Sequence, residues 1–242
     1  MPLDNGKIQV TWEVACWLIG RPIRPTSLKL LFAMLHQQDL RTGWPAVEAP
    51  PQRCWATLKT LRHRVGPRGA NDARAFRALC AELREQQLVT HCAFVRHGAR
   101  HALQWEFVPA IFVAMAWRAQ AAYVLLDLEE LGRLRTRPDI TLYVHLRRAW
   151  GKKAPQLEIK LSPESWSAEM RRYARALPRL ATLLGARFHV ALAYRTDAPL
   201  PDRLIVKVEH ANTTWFDGAL DKAPPEAKRW TVGPDPEGTG TG

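Results

Sequence analysis

Twice along this chain a stretch with the apolar period of a helix passes directly into two short alternating stretches separated by a turn. That order constrains the fold more than any other feature, because the two periods, near 3.6 and 2, place side chains on buried faces in incompatible ways. In the first instance Phe76, Leu79, Cys80 and Leu83 fall on one side of a helical stretch reaching Gln87. Leu88 to Val95 then reads as a strand, His97-Gly98-Ala99-Arg100 as a turn, and His101 to Val108 as the returning strand, with Leu103, Trp105 and Phe107 alternating. In the second, a helix from about Ala168 to Leu184 is stopped by Gly185. Phe188, Val190, Leu192 and Tyr194 alternate after it, residues 196–201 form a loop, and Leu204, Val206 and Val208 alternate back.

The first hairpin is preceded by more than one helix. Pro25-Thr26-Ser27 supplies an N-cap, and Leu28, Leu31, Phe32 and Leu35 follow at i, i+3, i+4, i+7, which predicts a helix to about Gln38. The loop from Arg41 to Arg53 is rich in Pro and Gly. Trp55 to Val65 reads as a second helix with Leu58 and Leu61 inward and Lys59, Arg62 and Arg64 toward solvent. Residues 66–69 turn, and Asn71 or Asp72 caps the third helix. Three helices followed by a hairpin are the layout of a winged helix, with Arg96 and Arg100 at the tip of the wing. In the second half Ile140, Leu142, Tyr143 and Leu146 belong to a helix, Ser162-Pro163-Glu164 opens a short helical piece, and Tyr123 to Leu134 is an apolar, partly extended link. The expected fold class is therefore α+β: two winged-helix (helix-turn-helix plus β-hairpin) domains in tandem, 1–110 and 111–216, with a disordered Pro/Gly-rich tail over 217–242. Lys7 to Ile19 alternates loosely between apolar and polar and takes no assignment.

A chain of 242 residues with 47% apolar residues and ten Trp can build two cores of this size. The formal net charge of +12 attracts polyanions. Asp217, Asp221, Glu226, Asp235 and Glu237 outnumber Lys222, Lys228 and Arg229 in the tail, a net of −2, so the first 216 residues carry +14. No apolar run reaches the about 20 residues of a membrane span, and Met-Pro-Leu-Asp-Asn lacks the pattern of a signal peptide, so a cytoplasmic protein is expected with no membrane partner. Cys16, Cys54, Cys80 and Cys92 show no close pairing and no C-x-x-C, which suits reduced thiols.

Motifs for chemistry are missing. The chain has no G-x-S-x-G, H-E-x-x-H, G-x-x-x-x-G-K-S/T or G-x-G-x-x-G. His91, Cys92, His97 and His101 fit no regular metal spacing, and Asp127 with Glu129 and Glu130 lies among leucines. No catalytic residue, metal site or cofactor is expected. The positive signal is instead geometric. Projected as a helix, Met170, Tyr173, Leu177, Leu180 and Leu184 cluster on one side, while Arg171, Arg172, Arg175 and Arg179 lie within roughly 100° on the other. Arginine forks match phosphate and guanine edges, so such a helix can enter a major groove. Arg74, Arg77 and Arg84 repeat the arrangement on the earlier helix, diluted by Glu82 and Glu85, and suit phosphate contact better than base reading.

Over Tyr123-Val-Leu-Leu-Asp-Leu-Glu-Glu-Leu-Gly-Arg-Leu, Ile140-Thr-Leu-Tyr-Val-His-Leu, the helix Arg171 to Leu184 and the hairpin Arg187 to Val208, the chain resembles plasmid replication initiator (Rep) proteins, a likeness reaching from Thr26 to Val208. Those proteins are built from two winged helices. The resemblance implies that the second module reads repeated origin sites in double-stranded DNA through Arg171, Arg172, Arg175 and Arg179. It implies that the first module adds phosphate contacts or pairs with another copy as a homodimer, and that the protein recruits the host helicase or its loader rather than cleaving DNA. Two features depart from the family: the helix before the second arginine helix is reduced to Ser162 to Trp166, and Pro178 sits inside the arginine helix, where it removes a hydrogen bond. A winged-helix transcriptional regulator and a basic DNA-binding subunit of a larger nucleoprotein complex use the same parts.

Overall fold

A computed structural model describes residues 6–44, 53–65, 73–98, 100–117, 119–152, 155–162, 164–194, 200–210, 220 and 223–234, with the side chains of all but 64, 65, 73 and 97. The chain divides into two compact units, Met1–Ile140 and Thr141–Gly242.

The first unit runs β1 (Lys7–Thr11), α1 (Trp12–Gly20), α2 (Pro25–Arg41), β2 (Cys54–Thr57), α3 (Leu58–Val65), α4 (Ala73–Glu85), β3 (Val89–His97), β4 (Arg100–Phe107), α5 (Pro109–Ala116), β5 (Tyr123–Asp127) and α6 (Leu128–Arg133). Its three-stranded antiparallel sheet has the order β2-β4-β3, so the returning strand of the hairpin is central. Leu103, Trp105 and Phe107 are buried along β4, as their alternation predicts. Proline opens α2, where its missing N–H has no intrahelical partner to lose. Helix α2 is buried on almost every side, and Lys29 is accommodated because its ammonium donates to the carbonyls of Gly132 and Leu134 at 3.1 and 3.0 Å.

Two expectations change in this unit, and one unassigned stretch takes a structure. Trp55 lies in a strand, not a helix: Cys54 and Ala56 face inward, β2 pairs with β4, and α3 starts only where Thr57 Oγ1 accepts from the Thr60 N–H at 3.2 Å. The unassigned Lys7–Ile19 forms β1 and α1, with Thr11 Oγ1 accepting from Val14 N–H. The boundary expected at residue 110 falls instead within a helix at 140, because β5 pairs with β1 from Lys7↔Asp127 to Thr11↔Tyr123 and Lys29 holds the end of α6. The turn at 66–69 and the caps at Asn71 and Asp72 lie outside the described residues.

Helix α7 (Arg137–Trp150) contains the division, and β6 (Gln156–Lys160), α8 (Trp166–Leu184), β7 (Arg187–Tyr194), β8 (Pro201–Glu209) and β9 (Lys228–Val232) follow in the second unit. Its sheet is antiparallel in the order β6-β8-β7-β9. One face aligns Leu157 and Ile159, Val206 and Leu204, and Val190 and Leu192. On the other, Ala191, Ala193 and Ile205 are packed by Leu220, Ala223 and Ala227. Burial on both faces accounts for the short apolar runs Val190–Ala193 in β7 and Leu204–Val206 in β8, which sit inside the alternation read from the sequence.

The segment from 217 was expected to be disordered and unable to join a core. It contributes β9, which pairs with β7, and apolar cover for the sheet from Leu220, Ala223 and Ala227. Residues 211–219 and 235–242 lie outside the described part. The short helical piece expected at Ser162 is a turn, with Ser165 N–H donating to the Ser162 carbonyl at 3.1 Å.

Candidate nucleic-acid interface

Both units place a one-sided helix immediately before a hairpin, and both use the same device to do so. Helix α8 ends at Gly185 in the left-handed region (φ 57°), and Ala186 N–H reaches back to the Ala181 carbonyl at 3.0 Å. Helix α4 ends through Gln87, also left-handed (φ 53°), and Leu88 N–H reaches the Leu83 carbonyl at 3.0 Å. Each back-bond satisfies a terminal carbonyl and turns the chain directly into the following strand.

On α8 the apolar side is narrower than the sequence projection suggests. Ala176, Leu177, Leu180 and Ala181 are buried, whereas Met170, Tyr173 and Leu184 are half-buried. Arg171, Arg172, Arg175 and Arg179 are all exposed, as projected. Pro178 shares their side, and Ala174, whose carbonyl the proline ring cannot serve, is exposed too. The helix therefore runs through to Leu184. Its one acid, Glu169, accepts a hydrogen bond from Ser165 at the helix start. Burial first, and Glu169 second, raise the Tyr173 phenol's pKa against the charge of Arg172, so Tyr173 stays neutral beside the arginines.

On α4, Phe76, Leu79, Cys80 and Leu83 face the core, and Arg74, Arg77, Ala78, Ala81, Arg84 and Glu85 face outward. Glu82 does not dilute this face. It accepts from the Arg24 backbone N–H and guanidinium at 2.8 Å each and from the Ser27 hydroxyl, pinning α4 to the start of α2. Burial alone would raise its pKa, but these donors hold it below the usual carboxylate value. Arg77 lies 5.4 Å over the Phe94 ring of β3, so part of the arginine set also serves the fold.

The remaining sequence-assigned cations divide. Lys59 is exposed on α3, and Arg96 and Arg100 are exposed on either side of the turn at Gly98. Arg62 is not simply open to solvent: its guanidinium lies 5.3 Å over Phe76. Sequence reasoning passed over Lys228 and Arg229, exposed on β9, because they fall in the segment taken for a tail. Arg229 also donates to the carbonyls of Ala223 and Pro224. Arg147, within 5.3 Å of Trp150 and 5.6 Å of Tyr143, was likewise unmarked; only its spacing to those aromatics on α7 signals it.

Among the described residues no three His, Cys, Asp or Glu come together as a metal site. No described helix is long and apolar enough to cross a membrane. What the geometry offers is two exposed arginine faces on helices, each followed by a hairpin, an arrangement suited to binding a phosphate-bearing polymer.

No protein-family model and no curated protein matches the chain. A solved structure does. The crystal structure of Pi initiator protein in complex with iteron DNA is similar at a TM-score of 0.62, over 86% of this chain and 98% of that one, at 9% sequence identity. The likeness is one of fold.

Proposed function

We propose that this chain is a sequence-specific double-stranded-DNA-binding protein that acts as a plasmid replication initiator, with a winged helix in each unit. The observation that carries the reading is the exposed face of Arg171, Arg172, Arg175 and Arg179 on the helix that enters a hairpin, in a chain whose fold resembles that of a protein bound to iteron DNA. On this reading α8 lies in the major groove and reads base edges with forked arginine contacts. Helix α4 and the β3–β4 tip, with Arg74, Arg84, Arg96 and Arg100, grip phosphates and set register. Initiation then proceeds by binding and opening an origin in the cytoplasm and recruiting the host helicase or its loader, with no bond cleaved by this chain and no cofactor.

The unit layouts support the winged-helix assignment. In unit 1 the order α2-β2-α3-α4-β3-β4 with sheet order β2-β4-β3 is helix, strand, two helices, hairpin. Unit 2 keeps helix, strand, helix, hairpin, again with the first strand beside the returning one. The test is binding of the full chain to duplexes taken from the DNA flanking its gene, measured by fluorescence anisotropy across a salt titration. The expected result is preference for directly repeated sites over scrambled duplex and a steep loss of affinity with salt, since each neutralised phosphate releases counterions. Affinity that is flat in salt for every duplex overturns DNA binding. Selection of a single inverted repeat would instead indicate a repressor.

A further inference from the structure

Pro178 lies inside α8, on the side of the helix that carries Arg171, Arg172, Arg175 and Arg179, and it is exposed there together with Ala174. An α-helix gives the carbonyl of each residue the N–H of the residue four positions on, which for Ala174 is position 178. A proline nitrogen carries no hydrogen, so the Ala174 carbonyl is left without its helical donor. The helix nevertheless continues to Leu184. An interior proline is costly, and this one stands on the face that the arginines mark for binding.

The chemistry of that face gives the carbonyl a use. Arginine side chains only donate hydrogen bonds. They match the O6 and N7 acceptors of guanine and the oxygens of phosphate, and they offer nothing to the adenine N6 and cytosine N4 amino groups, which are donors too. Glu169 at the start of the helix is half-buried and already accepts from the Ser165 hydroxyl. The Thr182 hydroxyl gives its proton to the Pro178 carbonyl at 3.1 Å, one turn further along. The Ala174 carbonyl therefore adds an acceptor among donors. Carbonyls on the solvent side of a helix tilt outward. Ala174 and Pro178 are short enough for a base edge to come close, while Arg171 and Arg175, a turn apart on the same side, reach past them. In water such a carbonyl is hydrated. In a groove that the helix closes, the water leaves, and an acceptor facing no donor costs binding energy, so the carbonyl can reject a base as well as hold one.

We propose that the Ala174 main-chain carbonyl, released by Pro178, accepts a hydrogen bond from the exocyclic amino group of a base in the major groove, which makes Pro178 a specificity-determining residue. The inference rests on the reading of α8 as the helix that enters the groove. Arginine forks then take the acceptor edges of a site, and the carbonyl takes a donor edge, adenine N6 or cytosine N4, that side chains of this face leave unread.

Pro178→Ala is the deciding variant, because it restores the N–H at 178, occupies the carbonyl and leaves the four arginines in place. The full chain selects duplexes from a random pool, and wild type and variant are compared on a selected duplex and on its scrambled counterpart at matched salt. The variant is expected to unfold at higher urea, to bind the selected duplex about tenfold more weakly with preference lost at one base position, and to bind the scrambled duplex unchanged. At that position adenine is then replaced by unsubstituted purine, or cytosine by the analogue that lacks the N4 amino group. Wild type is expected to lose about tenfold and the variant nothing further, and the base found there tells which amino group is read; the cost to base pairing is common to both proteins and cancels. A variant that keeps the preference, or equal losses by both proteins when the amino group is removed, overturns the contact. A variant that loses preference while wild type is indifferent to the amino group assigns Pro178 to helix shape alone and overturns it too. If wild type enriches no sequence, the base-reading role of α8 fails and takes the contact with it. If wild type enriches a sequence that Arg172→Ala no longer discriminates, that role stands whatever the carbonyl does.

Discussion

The two units solve one construction problem with different amounts of material. Unit 1 spends a helix, α3, between β2, the first strand of its three-stranded sheet, and α4, and it commits Glu82 and Arg77 of α4 to internal contacts with Arg24, Ser27 and Phe94. Unit 2 passes from β6 to α8 in five residues, leaves the α8 arginines exposed, and adds a fourth strand to the sheet. A helix pinned at its charged positions is well placed to hold a ligand in register. One whose arginines project from an apolar seat can follow the ligand's surface, and that division is what two related units on one chain make possible.

The comparison breaks most visibly at the fourth strand. Ending the chain after residue 216 removes β9 and uncovers Ala191, Ala193 and Ile205, and should lower the stability of unit 2 by on the order of 3 kcal/mol or more, chiefly from lost apolar burial and an opened sheet edge. Calorimetry should show the unit 2 transition moving down and the unit 1 transition staying; an unmoved trace would mean three strands suffice in both units. Next in size is the difference between reader and clamp. Arg172→Ala or Arg175→Ala should cost about 1–3 kcal/mol on a repeat duplex and relax preference at one base position. Arg74→Ala should weaken repeat and scrambled duplexes alike, because phosphates carry no base identity. Equal losses on both duplexes for the α8 variants would make unit 2 the clamp.

A smaller effect tests the pinning of α4. Glu82→Gln should destabilise unit 1 by about 1–2 kcal/mol at neutral pH, the worth of hydrogen bonds to a charged acceptor. Since the folded-state pKa of Glu82 is depressed, its contribution is present above the unfolded value of about 4.3 and is lost as pH falls through the folded value, so wild type and variant should converge in acid. The smallest effect concerns the helix ends. Gln87→Gly should stabilise unit 1 by about 0.5–1 kcal/mol, because a left-handed backbone strains any residue with a Cβ, and Gly185→Ala should cost unit 2 a similar amount. Urea denaturation of each variant measures both.

The repeated helix-then-hairpin order was readable because apolar period and turn residues agreed locally, as with Leu103, Trp105 and Phe107 around Gly98, and with Gly185 after α8. The arginine face of α8 was readable for the same reason: a helix period alone places Arg171 and Arg175 opposite Leu177 and Leu180. What escaped reading depends on distant partners. Cys-Trp-Ala-Thr looks like the start of a helix until β4 is beside it, and β5 looks like a linker until β1 pairs with it. Glu82 reads as a surface acid because nothing nearby in sequence announces Arg24 and Ser27. Lys228 to Val232 was obscured by the prolines and glycines around it, whose composition outweighs five residues of strand.

The pairing of β1 with β5 also sets a timetable. During synthesis Lys7 leaves the ribosome well before Asp127, its partner, which emerges only after the whole β2-β4-β3 sheet has been made. Contacts this remote in sequence form slowly, since a long loop must close before they are rewarded. Ile8 and Val10, buried in the finished protein, therefore wait through the translation of almost half of the 242 residues for their strand partners. In that interval the N-terminal strand is an open edge, and the nascent chain is most exposed to pairing with a neighbour on the same message.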